Sequence, residues 1–249
     1  MDRFFAVPMI ALISYLFLFI SFMSAKKSKL INSFIQLLGC GILWMGGSLL
    51  MRMHMWPSVK VWFDVSIIGL IMFTYFLWLF AFHYTESKKT PLKYIWFILL
   101  AGATAINVFT GVFVRVPRLE NSIDGGHIFV YDLTWTVSFL FVFCGAVVIH
   151  TIWMMVSYGR KDALKRKQLR PIMFGSVAIF VGQLMFLLPT FEGFPVDVAS
   201  SFIMVMCMFY SLYKRRMFTL TMLGSKVGCY ALAGVLSAFI FSVTIPAGE

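Results

Sequence analysis

Glu120, His127, Tyr131 and Asp132 crowd into one polar stretch, RVPRLENSIDGGHIFVYD (Arg115 to Asp132), between two long apolar runs. Carboxylates, an imidazole and a phenol at that density can hold a ligand by hydrogen bonds. A histidine beside Glu120 or Asp132 can also titrate across mildly acidic pH, which would make the stretch a proton sensor. Asn107, near the end of the preceding apolar run, would lie beneath. The stretch reads as a lid that meets a ligand through Asn107, Glu120, His127, Tyr131 and Asp132. The plainer alternative is a structural cap whose charges are solvated and whose aromatics anchor at a membrane interface.

Elsewhere the sequence has no arrangement suited to catalysis. There is no Gly-rich phosphate loop, no G-x-S-x-G elbow, no H-E-x-x-H pair and no His/Cys cluster at ligand spacing. Cys40, Cys144, Cys207 and Cys229 lie in or beside apolar runs without a C-x-x-C, so neither a disulfide framework nor a zinc site is expected. The expectation is a chain with no catalytic residues, no metal site and no cofactor, and no enzyme activity of its own.

The elements that position the polar stretch follow from composition. The 249 residues are 61% hydrophobic and 12% charged, against roughly a quarter charged in ordinary soluble domains. An uncharged run of about 20 residues is what a helix needs to cross a bilayer. Eight runs approach that length: Phe4 to Met23, Leu30 to Met51, Val65 to Phe82, Tyr94 to Val114, Leu133 to Ser157, Pro171 to Phe191, Phe194 to Tyr213 with Asp197 near its start, and Val227 to Ile245. None alternates as a membrane β-strand would. The expected fold class is therefore all-α, a polytopic membrane helix bundle.

Basic residues set the orientation, because short cytoplasmic loops retain Lys and Arg. Alternate connections carry 16 of the 21, and the other side has Arg3, Arg52, Lys60, Arg115 and Arg118. This places the N-terminus and the polar stretch outside. The +11 net charge then reads as a topology signal and as contacts to anionic lipids, not as a nucleic-acid site. A multi-pass cell-membrane protein is expected, in a bacterial inner membrane.

Polar groups inside the runs are read as packing partners. Asn107 and Gln183 both lie toward the outer side, where amides commonly bridge helices. His150, in the inner half of the fifth run, reads as a satisfied core histidine. In the eighth run Gly224, Gly228, Ala231, Gly234 and Ala238 recur at three- and four-residue steps, a pattern that lets another helix approach closely. Gly228, Ala231, Gly234 and Ala238 are its expected packing face, against the bundle, a second copy or a membrane partner. Within the polar stretch, Val116-Pro117 and Asp124-Gly125-Gly126 supply turns. His127 to Tyr131 alternates enough to form a short extended piece or hairpin across the helix ends.

The run Asn107-Val108-Phe109-Thr110-Gly111, the outer Phe129-Val130-Tyr131, the inner KRKQLRPIMFG (Lys165 to Gly175) and YSLYKRRMF (Tyr210 to Phe218) together resemble the N-terminal seven-helix sensing module of bacterial sensor histidine kinases. Similar regions precede other signalling outputs. The resemblance covers residues 1–223 and implies a seven-helix membrane sensor followed, at 224–249, by an eighth, small-residue-rich helix and tail. In that family the seventh helix normally leads into a cytoplasmic kinase or cyclase, whereas an apolar segment follows here. The chain is thus expected to be a piece of a longer signalling protein or to act through a partner. The leading reading is a membrane sensor that detects an extracytoplasmic or membrane signal, through a ligand of unknown identity, and passes it to a cytoplasmic effector. The alternative is a small transporter, channel or non-catalytic subunit of a membrane complex.

Overall fold

The computed structural model describes residues 6–23, 27–87, 90–121, 127–131, 135–160, 163–185 and 196–214. Within them the chain forms seven helices: α1 (Ala6–Met23), α2 (Lys29–Arg52), α3 (Val59–Tyr84), α4 (Thr90–Thr110), α5 (Val137–Gly159), α6 (Ala163–Met185) and α7 (Val196–Lys214). Two short strands, β1 (Arg118–Asn121) and β2 (His127–Val130), lie between α4 and α5. The all-α class is as expected, and helices are the form in which an isolated segment can satisfy its backbone without water. Five of them, α1 to α5, are long and apolar enough to cross a membrane, and Val196–Ser211 in α7 is a shorter apolar helix. The eighth run, with Gly228, Ala231, Gly234 and Ala238, lies outside the described residues, as does the proposed division at 223.

Helix starts follow local capping chemistry more than hydropathy. Ser28 Oγ accepts from Ile31 N at 3.1 Å to open α2, and Ser58 Oγ accepts from Val61 N at 3.3 Å to open α3. Each side chain satisfies a first-turn amide that has no intrahelical partner. As a result α3 begins at Val59, ahead of the apolar run that starts at Val65. The sixth helix likewise begins at Ala163 rather than Pro171, because Lys and Arg are good helix formers and the basic stretch simply continues it. The fourth helix ends earlier than its apolar run, at Thr110. Gly111 there takes φ +62°, and its N–H bonds Asn107 O at 2.7 Å. Asn107 Oδ1 then accepts from both Phe113 N, 3.1 Å, and Val114 N, 2.8 Å. A left-handed glycine and a side-chain acceptor for the departing amides terminate the helix.

The packing order is α1 on α2, α2 on α3, α3 on α5, α5 on α6, α6 on α7, and α7 back on α1. Six helices therefore close a ring, and α4 packs outside it on α3 and α5. The closure is tied by Tyr15, whose hydroxyl donates to Ser201 O at 3.2 Å across the α1–α7 seam. At the opposite end of the bundle from the hairpin, Tyr84 donates to Gln168 Oε1 at 3.3 Å and Ser211 Oγ donates to Gln168 O. Gln168 thus joins α3, α6 and α7.

The tightest approach is between α2 and α3. A Cβ built on Gly47 would lie 2.6 Å from Ser66 N, and one on Gly69 would collide with the backbone of Trp44. Backbones this close are reached only over hydrogen side chains, and the gain is dense van der Waals contact where no hydrophobic drive exists between helices in lipid. Ser66 Oγ donates to Trp44 O at 3.0 Å across the same seam.

Candidate functional site

The polar stretch forms the antiparallel hairpin that its alternation implied, with Arg118 opposite Val130, Leu119 opposite Phe129, Glu120 opposite Ile128 and Asn121 opposite His127. Its period of two sends alternate side chains to opposite faces. Phe129, only 1% exposed, is driven into the bundle mouth. There it stacks on His54, centroids 5.8 Å apart at 29°, and the Arg52 guanidinium carbon lies 5.8 Å from its ring centre. Burying a phenylalanine is worth roughly 2–3 kcal/mol, and the arginine adds a cation–π attraction. The hairpin is a plug as well as a cover. Tyr131, just after β2, packs its ring at 6.5 Å on Phe63 of α3.

Next to Arg52 and Tyr131 lies a cavity of about 110 Å³ among the helices. Its wall is mostly aliphatic and aromatic, from Ile71 and Leu77 on α3, Leu140 and Val148 on α5, and Ile179 on α6. Its polar groups are few: Arg52 and Ser48 at the end of α2, Ser66 and Thr74 on α3, Tyr131, Gln183 on α6 and Asp197 on α7. Arg52 is 2% exposed, a burial that costs several kcal/mol for an unpaired ion. Asp197 lies in the first turn of α7 and is in electrostatic contact with Arg52. Both charges sit at the helix end whose dipole favours them, the cation at the C-terminus of α2 and the anion at the N-terminus of α7. Among the described residues Gln183 Nε2, buried in the wall, has no hydrogen-bond partner.

The residues singled out in the sequence separate on this geometry. Tyr131 lines the cavity. Asn107, 2% exposed, spends its carbonyl oxygen on the amides of Phe113 and Val114. It holds the turn that carries Val114 to the cavity wall and is not itself among the lining residues. Glu120 is exposed on β1. The backbone of His127 pairs with Asn121, and its side chain, like all of Asp132, falls outside the described residues. The two amides read as helix-bridging partners have different surroundings: Gln183 faces the cavity and Asn107 the α4 terminus.

Sequence reasoning passed over Arg52 and Asp197 as residues at helix ends. Their signal was present, because an arginine directly after the apolar Leu49-Leu50-Met51 and an aspartate entering another apolar run are complementary charges at the same membrane depth. A second polar centre lies toward the other end of the bundle. His150 Nδ1 accepts from Trp78 Nε1 and from Trp96 Nε1, each at 3.2 Å, and Trp153 stands 6.0 Å away, ring to ring. A ring nitrogen that accepts leaves its proton on Nε2. This is the satisfied core histidine that the sequence suggested. Among the described residues no group of three or more His, Cys, Asp or Glu is placed to hold a metal ion.

Comparison with curated proteins gives no match. A family model described as the N-terminal 7TM region of histidine kinase matches residues 6–221, which takes in every described helix, the cavity and the Gln168 junction. The chain is a membrane protein, and it belongs to the family of N-terminal seven-transmembrane regions of histidine kinases.

Proposed function

We propose that the chain is a sensory module in which a signal molecule enters the cavity under the hairpin and changes how α2, α6 and α7 sit against one another. The observation that carries this is the cavity itself: a mostly apolar chamber with Tyr131 of the hairpin segment and the Arg52 and Asp197 side chains in its wall, Phe129 packing on Arg52. A ligand biases a protein only by meeting two arrangements differently. A chamber whose wall joins the end of α2 to the start of α7 gives a ligand that leverage. At the far end Gln168 couples α3, α6 and α7, so a shift at the mouth reaches the opposite side as a helix displacement. An attached or associated cytoplasmic effector reads it. The chain itself carries out no catalysis in this reading.

The proposal includes the finer topology: seven spanning helices and an eighth, the N-terminus and hairpin outside, in a bacterial inner membrane, with anionic lipids against the basic inner loops. It also keeps Gly228, Ala231, Gly234 and Ala238 as a packing face for a second copy or a partner. In a background without native cysteines, Ser122→Cys is expected to react with an impermeant thiol reagent in intact cells and Ala163→Cys to remain unlabelled until the cells are opened. Labelling of Ala163→Cys in intact cells reverses the orientation and removes the extracytoplasmic site.

Signal passing has its own test. Phe129→Ala removes the ring that packs on Arg52 and His54 and is expected to shift the distance distribution between spin labels at Ser87 and Arg166, beyond the end of α3 and near the start of α6. Glu120→Ala, at an exposed position, should leave it unchanged. Identical distributions in both variants and the parent would mean that the plug is not coupled to the far end.

A further inference from the structure

The cavity wall has a charge balance that restricts what it can hold. Among the described residues Arg52 and Asp197 are the only charged groups lining it, and they lie in each other's field. A net-charged ligand would bring an uncompensated ion into a site where such an ion costs several kcal/mol. Some hydrogen-bonding groups of the wall are already committed. Ser66 donates to Trp44 O, and the Arg52 and Asp197 side chains lie in each other's field. Gln183 Nε2 is a buried, uncharged donor in the same wall that meets no acceptor among the described residues. A buried donor left unmade costs about 1–3 kcal/mol, so a ligand that supplies an acceptor there recovers it.

Size gives the remaining restriction. A dry apolar cavity of about 150 Å³ takes up benzene, and this one is about 110 Å³. The body that fits is a single small ring or a short acyl chain.

We propose that the ligand of this cavity is an uncharged, compact, mostly apolar molecule with one hydrogen-bond acceptor, seated with that acceptor on Gln183 Nε2 and its apolar body between Ile71, Leu140, Val148 and Ile179. Small ketones, lactones and esters belong to this class, whereas carboxylates, amines and phosphate esters do not. The proposal rests on the sensory reading above and narrows it.

The test is calorimetric titration of the full chain in lipid nanodiscs with three matched rings: cyclohexanone, cyclohexane and cyclohexanecarboxylate. Cyclohexanone is expected to bind about tenfold more tightly than cyclohexane, the worth of one recovered hydrogen bond, and the carboxylate not measurably. Gln183→Leu should bring cyclohexanone down to the level of cyclohexane. Val148→Phe, which fills the chamber, should abolish both; Gln183→Met provides the same removal of the donor with the least change in shape should Gln183→Leu fail to fold. Tightest binding by the carboxylate, or cyclohexanone affinity that ignores Gln183, overturns the proposal. The spin-label distance separates the two readings. Binding as expected with no movement between Ser87 and Arg166 would retain the ligand class and remove the sensory role. Movement on Phe129→Ala without cyclohexanone binding would do the reverse.

Discussion

Arg52→Met is expected to lower the stability of the folded chain by on the order of 3 kcal/mol, while Arg52→Met combined with Asp197→Leu recovers most of the loss. The asymmetry is the physical content. Arg52 is buried in the bundle mouth and its positive charge faces Asp197, so removal of the guanidinium leaves a carboxylate without its compensating ion. Removal of both leaves two apolar side chains of similar volume in an apolar wall, which is often neutral or better. The single change also takes the cation from Phe129 and loosens the plug. Thermal unfolding of the purified chain in detergent measures the two variants side by side. Equal stability of the single variant and the parent would show that Arg52 and Asp197 are not energetically coupled. The double variant has a second use: with the wall uncharged, its spin-label distances report whether the charge couple is needed to move α7 with α2.

Much of this architecture was legible in the sequence because the bilayer imposes two simple requirements, length and the absence of charge. The runs at Phe4, Leu30 and Leu133 fall on α1, α2 and α5 with small differences at the ends. Where the boundaries moved, hydropathy was answering a different question. It measures how much chain can lie in lipid, whereas the start of α3 is decided by the Ser58 hydroxyl and the end of α4 by Gly111 and the Asn107 carbonyl. The hairpin was visible from its alternation and its Gly-Gly pair in the sequence, but which of its side chains would enter the bundle was not. The polar residues drew attention as ligand contacts, yet Phe129 makes the plug, since apolar side chains are what a bundle mouth can bury without cost. The cavity's own polar groups come from α2, α6 and α7, well separated in sequence, and only the closure of the helix ring brings Arg52, Gln183 and Asp197 onto one wall.

The glycine pair Gly46-Gly47 makes the same distinction measurable within two adjacent residues. Gly47→Val is expected to prevent normal folding, with a loss of about 3 kcal/mol or more, and Gly46→Ala to be neutral or to stabilise by up to about 1 kcal/mol. A small-residue pattern alone does not separate them, and the sequence drew attention instead to the stripe in the eighth run. Their neighbours do separate them. The nearest atom to a Cβ on Gly46 is a Leu12 methyl at 3.8 Å, ordinary contact distance. A Cβ on Gly47 meets Ser66 N at 2.6 Å and Trp62 O at 2.7 Å, and those are backbone atoms of α3 that cannot swing aside. For valine to fit, α2 and α3 must part along a seam that also holds the Ser66 to Trp44 hydrogen bond and the Gly69 contact from the opposite helix. Parting them displaces Trp44 and Ser48 from the cavity wall, so a variant that does reach the membrane should have lost cyclohexanone binding as well. The yield of monodisperse protein after detergent extraction, followed by titration of whatever survives, gives both readouts. Wild-type yield from Gly47→Val would mean that the two helices are not in backbone contact, and the wall they build around Arg52 would have to be redrawn.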